Sequence, residues 1–293
     1  MLKTVLVVCL SVLASILFNY GLFLQKKAVD TLPDVKFELS WKVFKAFVTH
    51  GTWMFSVFLT IIGGAIYTVC IALAPISIVQ PILGCGVALL AYLAIKNLGE
   101  KPRRSDLFAI GLNILGLVLI GISLAEGLPE KTVHNPTKLW ILAALAFSLA
   151  IIFPLVTLGS SRMKQSVGLG LSVGFLYGIG AVFARVLLVD WTGRWPKQGI
   201  MAAFSSIFII PWAASYFPAF IMLQAALQRG LAVVITPIVA GLSQLIPIVG
   251  GMIALNEPFP KNPALTVIRC VAFGMILLGT IILSRRAEEA EHG

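Results

Sequence analysis

The sequence predicts an all-α, polytopic membrane protein of about nine transmembrane helices, built as two inverted structural repeats. Three observations carry that prediction. Of its 293 residues 59% are hydrophobic and only 12% charged, and the mean hydropathy is +0.98. A soluble domain of this size carries about twice that charged share. Apolar runs of about 18 residues or more recur along the chain, enough to cross about 30 Å of hydrocarbon as helix. A transmembrane β-barrel would instead show strands of about 10 residues with alternating polarity, and these runs are too long and too uniform. Finally, one series of landmarks occurs twice, about 157 residues apart, as from Tyr20 to Tyr177. It reads Phe18-Asn19-Tyr20-Gly21, Pro81, Glu100, Gly116 and Gly121, then Phe175-Leu176-Tyr177-Gly178, Pro237, Glu257, Gly274 and Gly279. Repeated apolar segments are the mark of a transporter whose halves close around a central site.

Residues 4–24 form the first span. Lys3 and the Val12-Leu13-Ala14 step imitate a secretory leader, but the apolar run outlasts a leader's and contains the repeat landmark at 18–21. Beyond it, Trp41, Phe44 and Val48 with Val43 and Phe47 make one apolar face, while Lys42, Lys45 and Thr49 point away. This reads either as a helix near 40–50 lying in the inner interface or as an amphipathic lead-in to the next span. Spans 51–74 and 75–95 meet at Ala74-Pro75 without a loop, which predicts an antiparallel hairpin, and 107–124 completes a set of four. A lone connector span follows at 139–158. Spans 167–189, 199–227, 230–255 and 264–284 then repeat the set, with a second hairpin at Gln228-Arg229-Gly230. Five crossings separate the two repeat starts, an odd number, so the second copy is inverted. The chain thus divides into a first repeat at 1–124, a connector at 125–165, a second repeat at 166–284 and a tail at 285–293.

The net charge of +10 is distributed by side. With the N-terminus outside, about 14 Lys and Arg fall in inward segments and about 6 in outward ones, as the positive-inside rule requires. The expected location is a plasma (inner) membrane with the C-terminus cytoplasmic. No basic groove with stacking aromatics is visible, so nucleic acid is not an expected partner. The expected partners are a small-molecule or ion substrate and the lipid bilayer, with a homodimer as a further option.

The matched prolines point to the site. Proline in a helix frees the carbonyl four residues back, and paired interruptions in two halves mark a transporter's centre. Pro81 and Pro237 would free carbonyls near Ser77 and Val233, with Gly84, Gly86 and Gly241 just beyond. Polar residues within spans are costly unless they bridge helices or face a wet cavity. The expected substrate-binding lining is Asn19, Tyr20, Tyr67, Thr68, Ser77, Gln80 and Pro81 from the first half. Tyr177, Gln224, Thr236, Pro237, Ser243 and Gln244 supply the second. Tyr67 and Thr68 should approach Gln80 across one hairpin, and Gln224 should approach Thr236 and Gln244 across the other.

The remaining marked residues have simpler readings. Only Arg185 and Arg269 put charge inside a span; Arg185 can snorkel toward Asp190, and the deeper Arg269 is a candidate anion contact. Glu100 and Glu257 end corresponding helices and read as caps of the following turn. Cys9, Cys70, Cys85 and Cys270 lie within spans and predict no disulfide. Gly111, Gly116, Gly121, Gly274 and Gly279 should let helices approach closely.

The stretch Ala72-Leu73-Ala74-Pro75 through Val79-Gln80-Pro81, ending at Leu98-Gly99-Glu100, resembles the core signature of the drug/metabolite transporter superfamily, whose fold is EamA-like. The Gln25-Lys26-Lys27 end of the first span, the missing second helix before Trp53 and the connector segment are similar to its NIPA-like magnesium transporter branch. The resemblance covers nearly the whole chain. It implies passage of a small solute or Mg²⁺ by alternating access. Two departures shape the choice of cargo. The small multidrug-resistance branch uses a glutamate within its first span, and 4–24 holds no acidic residue. The magnesium branch should offer oxygen ligands along a path, and all 12 carboxylates here lie outside the spans or at their ends.

The leading expectation is therefore a transporter of a small neutral or amphipathic metabolite. Mg²⁺ or another divalent cation is the alternative, because this hard cation dehydrates reluctantly and usually seeks carboxylate. A non-transporting membrane scaffold or sensor is the third reading. No enzyme is expected: His50, His134 and His292 fall in loops or the tail, and no HExxH or GxSxG occurs. No cofactor and no protein-built metal site is expected.

Overall fold

A peptide group in hydrocarbon has no water to bond, so each apolar run must satisfy its own backbone, and helix is the segment-local solution. The computed structural model describes residues 2–34, 41–73, 76–123, 135–199, 201–255 and 260–289, with side chains for all of these except 2–5, 71–82, 84–85, 203 and 284–289. Among them all regular structure is helical: α1 (Leu2–Val29), α2 (Trp41–Thr49), α3 (Gly51–Leu73), α4 (Ile76–Asn97), α5 (Arg104–Ser123), α6 (Pro136–Val156), α7 (Arg162–Gln198), α8 (Met201–Phe204), α9 (Ile209–Arg229), α10 (Ala232–Ala254) and α11 (Pro263–Glu289). Eight described helices are long and apolar enough to cross a membrane. The helix α4 has 22 residues, and its described apolar stretch is Gly86–Asn97.

Two boundaries differ from expectation. Helix α7 runs 37 residues, well past the expected stop at 189. The charge at Asp190 ends an apolar run without ending a helix. Arg194, one turn on, pairs with Asp190, and Trp191 packs edge-on against Trp195 at 5.4 Å. Gly199 then stops the helix in the left-handed region, at φ 56°. The short α8 and a turn follow, so α9 begins about ten residues later than the expected 199.

The two expected hairpins are splayed. Among the described residues, helices α3 and α4 hardly touch, and α1 packs along both; α7 lies between α9 and α10 in the same way. Small residues make these wedges fit. A Cβ on Gly21 would come within 2.7 Å of Thr60 Oγ1, and one on Gly86 within 2.3 Å of Ser15 Oγ. On the other side, Gly174 and Gly178 of α7 receive Leu242 and Ile246 of α10, each 2.6 Å from where a glycine Cβ would stand. The two helix sets join along α5 and α11 and, less extensively, along α4 and α10, while α6 packs on α7. Gly116 and Gly279 allow the α5–α11 approach, as expected, whereas Gly111 and Gly274 face open space and have no such role.

Helix α2 divides the apolar face predicted for it. Phe47 is buried, with its ring edge-on to Trp53 at 5.3 Å, and Val43 packs beside the same cluster. Trp41, Phe44 and Val48 remain exposed, next to exposed Lys42 and Lys45.

Candidate functional site

Two polar clusters stand out among the described residues, the second of them between the helix sets. The first is aromatic. Tyr177 on α7 lies 5.4 Å from Tyr216 on α9, ring to ring, and Trp212 lies 5.6 Å from Tyr216. Tyr67, on α3, belongs to the other helix set, whereas Tyr216 is on α9. Gly180 makes room for it, since a Cβ there would meet the Tyr216 ring at 2.7 Å. All three tyrosines are half-buried. A phenol offers an apolar body and one hydroxyl that both donates and accepts, so the cluster can grip a polar or hydrated solute without adding charge. Among the described residues, no group of three or more His, Cys, Asp or Glu is placed to hold a metal ion.

The second cluster lies about two turns further along α9, at the end of the molecule where α1 finishes. Trp53 Nε1 donates to Gln224 Oε1 at 3.0 Å, and Gln224 Nε2 donates to Gln25 Oε1 at 2.7 Å. Gln25 Nε2 in turn donates to Thr60 Oγ1 at 3.2 Å. One turn beyond, Lys26 Nζ donates to the Leu227 carbonyl at 2.6 Å and to Asp30 at 2.7 Å. Gln228 Nε2 reaches the carbonyls of Val29 at 3.1 Å and Pro33 at 3.0 Å.

Glu100 completes this cluster from α4. Gly99, left-handed at φ 67°, reverses the chain after α4 and points the next residue back into the bundle. The buried Glu100 carboxylate then accepts the amides of Ala232 at 2.8 Å and Val233 at 2.9 Å, the first two residues of α10. It is a cap, as expected, but of a helix more than 130 residues away in sequence rather than of its own turn. Burial pushes its carboxyl above the ordinary carboxylate range, while the two amides and Lys26 pull the other way. A cation thus sits at the carbonyl end of α9 and an anion at the amide end of α10, each matching the partial charge of its helix terminus.

With this geometry in view, comparison with known proteins gives one relative to report. The chain is 27% identical over 299 aligned residues, 97% of its own length and 83% of the other's, to "Probable magnesium transporter NIPA9" of Arabidopsis thaliana. It is similar to a protein named as a probable magnesium transporter. No family model matches the chain, and no solved structure matches it.

The expected lining residues take different places. Tyr177 stands against Tyr216, and half-buried Tyr67 packs beside Val7 and Cys70. Gln224 is fully enclosed between Trp53 and Gln25 rather than beside Thr236 and Gln244. Asn19 is buried, bonds back to the Ser15 carbonyl and fills the notch at Gly86. Tyr20 is exposed, and Thr68, also exposed, bonds to its own helix at Gly64. Thr236 and Pro237 are buried within α10, Thr236 bonding to the Ala232 carbonyl; Ser243 bonds to Ala240, and Gln244 is half-buried. The side chains of Ser77, Gln80 and Pro81 lie outside the described residues. Buried Arg269 donates to Ser123 Oγ at 3.1 Å and to the Ser123 carbonyl at 2.9 Å, holding the carboxyl end of α5.

The sequence reading missed Tyr216, Trp53 and the joint role of Gln25, Lys26 and Glu100. Tyr216 had a usable signal, as a tyrosine inside a span two turns from Gln224. Glu100 was marked as a cap and Gln25 and Lys26 as the end of the first span, but their partners could not be read, because those belong to the opposite helix set.

Proposed function

We propose that the chain is a membrane transporter that moves Mg²⁺ between two inverted helix sets, α1–α5 and α7–α11, joined by the connector α6. The observation that carries this reading is the similarity to a protein named as a probable magnesium transporter, spread over 97% of the chain. It moves Mg²⁺ ahead of the neutral metabolite that the sequence favoured. Mg²⁺ keeps several waters when bound, so Tyr67, Tyr177 and Tyr216 need only hold its hydration shell. A hold of that kind is weak enough to let the ion leave, which passage requires. The charge asymmetry favours placing the Lys26 end at the cytoplasmic face of a plasma (inner) membrane. A small neutral or amphipathic solute is the second reading, favoured because no carboxylate among the described residues stands in the tyrosine cluster.

Purified protein in liposomes loaded with a Mg²⁺ dye tests both. Mg²⁺ entry at a rate several times that of empty liposomes is the expected result. Solute uptake without Mg²⁺ entry would replace the first reading with the second, and neither flux from folded protein would leave a scaffold or sensor.

A further inference from the structure

We propose that Glu100 and Lys26 are positioning residues for transport: together they fasten the α9–α10 turn to the ends of α1 and α4, closing the path on that side until the carboxylate releases the α10 amides. The proposal rests on the transporter reading and deepens it by naming what opens one end.

The contacts have the form of a latch. Both fastened helices belong to one helix set, while both fastening side chains belong to the other. Helices α9 and α10 hardly touch each other; besides Ser166 of α7, which bonds to the Ala226 carbonyl, their turn is held by Lys26 and Glu100 and by Gln228's own bond to the Val29 carbonyl. The two charges are not interchangeable. Lys26 meets the Leu227 carbonyl, where helix α9 ends with partial negative charge, and Glu100 meets the first amides of α10, where partial positive charge collects. All of these groups stand at helix ends, where the backbone has no partner within its own helix. The seam along α5 and α11 is packed and can stay so while the latch opens.

The test places one cysteine at Phe220, which packs on Trp53 at 6.0 Å and lies one turn beyond Gln224 toward the tyrosines. The four native cysteines are removed, and a membrane-impermeant maleimide is applied to sealed vesicles from each side in turn. With Glu100 intact, labelling from the Lys26 side should be slow. Glu100→Gln should raise that rate at least tenfold and leave the rate from the opposite side unchanged or lower. Lys26→Met should act in the same direction, and it decides the matter should Glu100→Gln fail to fold. An unchanged rate, or an equal rise from both sides as general loosening would give, overturns the proposal. Labelling needs no cargo, so absence of Mg²⁺ flux would count against the transporter reading and not against the latch.

Discussion

Gln224→Leu is expected to destabilise the folded protein by about 3 kcal/mol, because it leaves two buried polar groups without partners. Trp53 Nε1 loses its acceptor and Gln25 Oε1 loses its donor, both inside a packed cluster. Thermal unfolding in detergent should register a fall on the order of 5–10 °C. Double substitution with Gln25→Leu should recover part of the loss, since one orphaned group is then gone. A variant as stable as the parent would mean that water already satisfies these groups, and would return Gln224 to the open lining that the sequence suggested.

The second large effect concerns the tyrosines. Tyr216→Ala and Tyr177→Ala should each lower Mg²⁺ flux at least tenfold in protein that remains folded, through loss of the paired rings of α7 and α9. Tyr216→Phe separates the contributions of ring and hydroxyl. If the hydroxyl holds the ion's water shell, the phenylalanine variant should keep the fold and still lose several-fold in flux. Flux equal to the parent's in all three variants would place the path away from α7 and α9.

Much of the fold was legible because hydrocarbon leaves the backbone few choices. The long apolar runs gave the helices, and the spacing of Tyr20 from Tyr177 and of Glu100 from Glu257 suggested the repeat. What stayed hidden depends on which helix lies beside which. The short turns at Ala74-Pro75 and Gln228-Arg229-Gly230 argued for packed hairpins, yet glycines at 21, 86, 174 and 178 favour α1 and α7 as the neighbours instead. Helix α7 outran its apolar window because a helix tolerates an Asp190–Arg194 pair and an apolar-run count does not. Glu100 was recognisable as a cap from its place after a helix. The helix it caps could not be read, since that requires knowing that Gly99 turns it toward α10.

A reversible cross-link tests most directly whether the two helix sets must part for Mg²⁺ to pass. Leu32→Cys and Gln228→Cys, at positions joined by a 3.4 Å hydrogen bond from the Gln228 amide to the Leu32 carbonyl, fix the end of α1 to the end of α9 when bridged by a short cleavable dithiol reagent. Mg²⁺ uptake into liposomes should fall to less than about a tenth on bridging and return on reduction, with either single cysteine unaffected. Full uptake by the bridged protein would contradict passage between moving halves.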